Sequence, residues 1–123
     1  MATWIRVDQT LLDHEKTFNL GEQLELAEPY AAVHVIALWM WAIDHALDGK
    51  LPENDKLIAR AARWDGPAAP FVEALIAVGF IDDDIHGYRT IHNWEKYAGA
   101  MLRRRAANAN RMRKARGKTD PEF

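Results

Sequence analysis

Arg103, Arg104, Arg105, Arg111, Arg113, Lys114, Arg116 and Lys118 crowd one end of the chain, spaced mainly by alanine and asparagine. Guanidinium and ammonium groups at this density suit the neutralisation of nucleic-acid phosphates. Each phosphate neutralised steepens the fall of log affinity with log salt by about 0.9. The balance of charge is local. Residues 89–123 hold ten Lys/Arg and three Asp/Glu, a charge of +7, whereas residues 1–88 hold six and fifteen, a charge of −9. An acidic body thus carries a basic tail, an asymmetry that points to polyanion contact. The alternative is a solvated helix face or a disordered end that binds nothing.

Other constellations offer less. His86 and His92 lie near Asp82-Asp83-Asp84, but their spacing matches no metal-ligand motif, so no metal is expected. His92-Asn93-Trp94 departs from the His-Asn-His nuclease pattern at its last position. Trp39, Trp41, Trp64 and Trp94 sit in apolar or acidic surroundings, which favours packing over base stacking. The chain has no cysteine, which excludes disulfides, a thiol nucleophile and a Cys-based zinc site. No Ser/His/Asp context, glycine-rich phosphate loop or paired-carboxylate pocket is present. Neither enzymatic activity nor a cofactor is expected.

The elements that must present these groups follow from periodicity and breakers. Thr10-Leu11-Leu12-Asp13 reads as a capping box for a helix over about residues 11–20, with Gly21 as its point of interruption. Pro29 opens the next helix, about residues 29–47, which is apolar nearly all round through Val33, Ile36, Leu38, Trp39, Met40, Trp41 and Ile43. Such a helix calls for neighbours on most faces. Its unbroken apolar run, Val35 to Ile43, is far short of the roughly 18 residues of a membrane span. With no signal-peptide pattern at the N-terminus, no membrane association is expected and a cytoplasmic location is implied.

Asp48-Gly49 ends that helix, and Leu51 is expected in a very short strand. A helix from Pro52 or Glu53 to about Arg63 carries Leu57, Ile58 and Ala61 on one stripe. After the turn at Trp64-Asp65-Gly66-Pro67, a helix over residues 68–78 turns Phe71, Val72, Leu75, Ile76 and Val78 inward, and Gly79 caps it. Phe80-Ile81 and Tyr88–Ile91 form a hairpin around an aspartate-rich turn. Asn93 is expected to cap a last helix in which Trp94, Tyr97, Met101 and Leu102 recur; past Leu102 only Met112 is available as an apolar anchor. The predicted class is α+β, mostly helical: a winged helix (helix-turn-helix plus short β-hairpin wing) with an extra N-terminal helix and a C-terminal basic helix. Residues 1–92 form the winged-helix domain and residues 93–123 the C-terminal helix and basic tail. The short strand at Leu51 should join the hairpin, because a lone two-stranded hairpin is marginal.

In a winged helix the second helix of the helix-turn-helix enters the major groove. Here that helix has Glu73 as its one charged residue and no Arg, Lys, Asn or Gln, so the usual base-reading pairs are absent. Lys56, Arg60 and Arg63 on the preceding helix supply phosphate contacts. The wing turn repels phosphate through its aspartates, with His86 and Arg89 as the groups able to help, and Lys96 follows in the last helix. The tail is the main DNA candidate, and truncation after Ala100 is expected to abolish most DNA affinity.

These residues also match a family pattern. Trp4-Ile5, His14-Glu15-Lys16-Thr17, Leu38-Trp39-Met40-Trp41, Asp48-Gly49-Lys50-Leu51, Ala74-Leu75, Gly79-Phe80-Ile81-Asp82 and Ile91-His92-Asn93-Trp94-Glu95-Lys96-Tyr97 occur in order. Over roughly residues 4–105 the chain resembles the N-terminal winged-helix domain of phage replication-initiation proteins, the replisome-organiser and DnaD-like group. The resemblance implies binding of double-stranded DNA at an origin, possible homo-oligomers, and a replicative helicase or its loader as partner. Many members carry a second, helical C-terminal domain for helicase loading, whereas the residues here end in the basic tail. The second reading is a winged-helix module for protein interaction or dimerisation, without base-specific DNA reading.

Overall fold

The computed structural model describes residues 7, 9–84, 88–94, 107–108 and 110–112. The fold is built on α2 (Glu28–His45), the longest helix among the described residues, which Pro29 opens. Ala31, Ala32, Val35, Leu38, Trp39, Ala42 and Ile43 make its buried seam, at the spacing of one helical face. The opposite face is open: Tyr30, Val33 and Met40 are exposed. The helix expected to be surrounded is therefore covered on one side only. An apolar side chain is free to remain in water when no neighbour reaches it.

α1 (Glu15–Leu24) crosses α2 at 102° and packs on it. The expected capping box is replaced by a 3-10 turn, Leu11–Asp13, in which the Thr10 side chain makes no capping bond. The α-helix starts four residues later than expected, where His14 Nδ1 accepts the Lys16 amide at 3.1 Å. Gly21 does not interrupt the helix but lies inside it. A Cβ there would fall 2.7 Å from the Leu26 carbonyl oxygen, so glycine allows the chain to fold back across the helix.

α3 (Asp55–Ala61) and α4 (Ala68–Val78) pack against each other. Asn54 caps α3, its Oδ1 accepting the Lys56 amide at 2.9 Å. Phe71, Val72 and Leu75 of α4 meet Ile58, Leu38 and Leu20 in the fully buried centre. Lys16 Nζ donates to the Gly79 carbonyl at 3.1 Å, placing a cation at the negative end of α4 and tying α1 to it.

The strands β1 (Lys50–Leu51), β2 (Ile81–Asp83) and β3 (Arg89–Ile91) form an antiparallel sheet in the order β1-β3-β2. Lys50 pairs with Thr90 and Ile81 with Ile91. The short strand thus joins the hairpin, as expected. The architecture is α+β and mostly helical, with one small sheet at the edge of the helices. Trp94 closes the sheet end: buried, it donates from Nε1 to the Leu47 carbonyl at 2.8 Å. Asn93, expected as a helix cap, sits before it at φ 56°, a left-handed position asparagine tolerates. Among the described residues no single helix is long and apolar enough to cross a membrane.

Candidate nucleic-acid interface

Lys56, Arg60 and Arg63 recur at intervals of four and three, which places them on one side of α3 and its final turn. All three are exposed. With Trp64 and Gly66 they line one open hollow of about 420 Å³. Arg60 also lies in the last turn of α3, where the helix dipole favours a cation.

The position of Arg63 depends on how α3 ends. The Trp64 amide donates to the Ala59 carbonyl at 2.8 Å and the Arg63 amide to the Arg60 carbonyl at 3.0 Å. This is a Schellman closure, which requires a left-handed residue at its bend and normally takes glycine there. Arg63 occupies that position with φ 62°. At the end of α4 the same closure uses Gly79, with φ 97°. An arginine here carries a backbone cost that glycine would not, as does Glu25, which ends α1 at φ 56°.

Below the hollow lies a fixed aromatic floor. Trp64 stacks on Phe71 with centroids 4.9 Å apart and donates from Nε1 to the Pro67 carbonyl at 3.1 Å. His34 of α2 meets Trp64 edge-on at 5.3 Å, and its Nδ1 lies 2.7 Å from the Ala62 carbonyl. Only an Nδ1–H can make that bond, which sets the tautomer of a neutral His34. The ring therefore holds the carbonyl of Ala62, which caps α3, and braces Trp64 as well. Trp64 serves as packing, in agreement with the expectation for the tryptophans.

The remaining expected contacts divide. Arg89, expected as a phosphate contact, is partly exposed, and its guanidinium pairs with the Asp55 carboxylate and reaches the Glu53 carbonyl at 3.5 Å. It locks β3 to the start of α3. Asp82, in the hairpin, holds His92 Nδ1 at 2.9 Å. The outward positions of α4 are Ala69, Pro70, Glu73 and Ala77, which offer no donor to a base edge. Arg111 is exposed and helical and donates to Asn108 Oδ1 at 2.6 Å. His86, Lys96, Arg103, Arg104, Arg105, Arg113, Lys114, Arg116 and Lys118 lie outside the described residues, as do Tyr97, Met101 and Leu102 of the expected last helix.

Sequence reasoning missed the role of His34, the strained bend at Arg63 and the Asp55–Arg89 pair. His34 carried a faint signal, a polar residue inside an apolar helix. The ion pair carried none, since its members are 34 positions apart. Among the described residues no group of three or more His, Asp or Glu side chains is placed to hold a metal ion. Compared with protein-family models, with curated proteins and with solved structures, the chain matches none.

Proposed function

We propose that this chain is a winged-helix DNA-binding protein of the kind that acts in phage replication initiation, holding duplex DNA by its phosphates. The observation that carries the reading is the grouping of Lys56, Arg60 and Arg63 around one open hollow on α3, with Arg63 in a strained conformation to join it. The order of elements supports the architecture: α3, turn, α4, then a hairpin whose strand β3 also pairs with β1. In this reading α3 and α4 are the helix-turn-helix and β2–β3 is the wing. The α4 surface lacks base-reading groups, so affinity comes from the backbone and is only weakly sequence-dependent. The basic residues 103–118 add the larger share of phosphate contacts, and a replicative helicase or its loader is the partner class the resemblance suggests.

Fluorescence anisotropy of a labelled duplex across a salt series tests this. Affinity should fall steeply with salt, and truncation after Ala100 should flatten the slope by several units, at about 0.9 for each phosphate no longer neutralised. A truncated chain that binds duplex as tightly as the full chain at moderate salt sinks the reading. A second reading, a protein-docking module, draws on the outer face of α4, where Ala69, Pro70 and Ala77 leave a small uncharged surface around Glu73.

A further inference from the structure

An apolar hollow of about 600 Å³ lies on the side of α1 where it meets the start of α2. Leu12, Phe18, Leu26 and Pro29 line it. Phe18 is 48% exposed and Leu12 51% exposed, so the described elements leave the hollow uncovered. Around the same hollow stand the carboxylates Asp13, Glu22 and Glu28. Among the described residues none of the three has a cationic partner. The occupant that fits is an apolar side chain framed by cations.

The chain supplies one such group. Met112 stands between Arg111 and Arg113, with Lys114 following. It is the sole apolar side chain larger than alanine between Leu102 and Pro121. Met112 is 53% exposed and lies in a helical stretch, presented outward. Since Met112 and Phe18 are both uncovered within one chain, a second copy is the occupant that satisfies both. We infer that two copies of this chain associate by seating the Arg111–Met112 segment of each in the acid-rimmed hollow of the other. The exchange is reciprocal, so the pair closes on itself with two equal contacts. A thioether against an aromatic ring is a favourable contact in its own right, and the three carboxylates complement the positive charge of this stretch of sequence. Helix-in-groove docking of this kind uses a few apolar anchors and a charged frame. The association needs no DNA, but it engages cations that the proposed function gives to phosphate.

Sedimentation equilibrium of the full chain, up to about 200 µM where weak association becomes visible, is the test. At about 0.05 M salt a monomer–dimer equilibrium is expected, weakened about tenfold or more at about 0.5 M salt. Phe18→Asp and Met112→Asp each replace an exposed side chain, so both variants should keep the native circular dichroism spectrum and sediment as monomers. Glu22→Arg should weaken association by about tenfold, and adding Arg111→Glu to it should recover several-fold of that loss, as expected of a facing charge pair. A strict monomer at low salt overturns the inference. So does association that survives Phe18→Asp and Met112→Asp, including one lost on Val33→Asp, which would place the interface on the outer face of α2. Failure of the Arg111→Glu change to recover any association overturns it as well.

Discussion

Arg63 answers to two demands at once. Its backbone closes α3 in a left-handed turn, and its side chain completes the cationic hollow. The left-handed conformation costs a non-glycine residue about 1–2 kcal/mol, and glycine in its place loses about 0.5–1 kcal/mol through chain entropy. Arg63→Gly should therefore stabilise the fold by roughly 0.5–1 kcal/mol in urea unfolding while weakening duplex binding. Opposite signs in the two measurements are the expected outcome, and a destabilised glycine variant would remove the strain argument. His34 lies one layer deeper. His34→Ala deprives the Ala62 carbonyl of its donor and Trp64 of its edge-on neighbour, with an expected destabilisation of about 1–3 kcal/mol. The urea midpoint is the readout.

At the scale of elements, the sheet depends on two tethers that have little to do with strand propensity. One is the packing of Trp94 over Gly49. Gly49 has φ 81°, and a Cβ there would fall 2.7 Å from Trp94 Cδ1. Gly49→Ala meets both a backbone penalty and a clash with a buried ring, so a loss of about 2 kcal/mol or more is expected in thermal or urea unfolding. A neutral result would mean that Trp94 moves aside freely. The other tether is Arg89, which ties β3 to the start of α3 through Asp55. Both side chains are partly exposed, so the coupling is modest: a double-mutant cycle on Arg89→Gln and Asp55→Asn should give about 1 kcal/mol or less. Arg89→Gln should also leave the salt dependence of DNA binding unchanged. A slope lowered by about one unit would instead return Arg89 to the DNA surface.

On the scale of the whole molecule, charge is arranged against one partner and toward another. Among the described residues, the acidic body turns Asp82, Asp83 and Asp84 outward at the hairpin and Glu15 and Glu22 outward on α1, charges that repel phosphate. Under the proposed function, duplex would be steered to the α3 hollow and the basic tail. Replacing Lys56, Arg60 and Arg63 together by Ala should lower the slope of log affinity against log salt by about 2–3 units while the fold persists, since all three are exposed. An unchanged slope would leave the tail as the sole site.

Much of this was legible before the fold was known. Pro29, Gly49 and Gly79 fix chain direction through their own stereochemistry, and the apolar periods of residues 29–47 and 68–78 set two helices. The expected strand at Leu51 also formed, because a hairpin this short needs a third strand. Gly21 could not be read the same way: glycine signals a break by its freedom, yet here it is used for close approach, and only the path of Leu26 distinguishes the two. The charge division and the absence of base-reading groups on α4 are facts of sequence alone. Which cations stand free and which are tied inside the fold is not, because a pair such as Asp55–Arg89 or a brace such as His34–Ala62 depends on groups brought together from distant positions. The sequence by itself determined most of the described elements and the division of charge along the chain; tertiary packing decided where α1 begins and which of the described charges are tied within the fold.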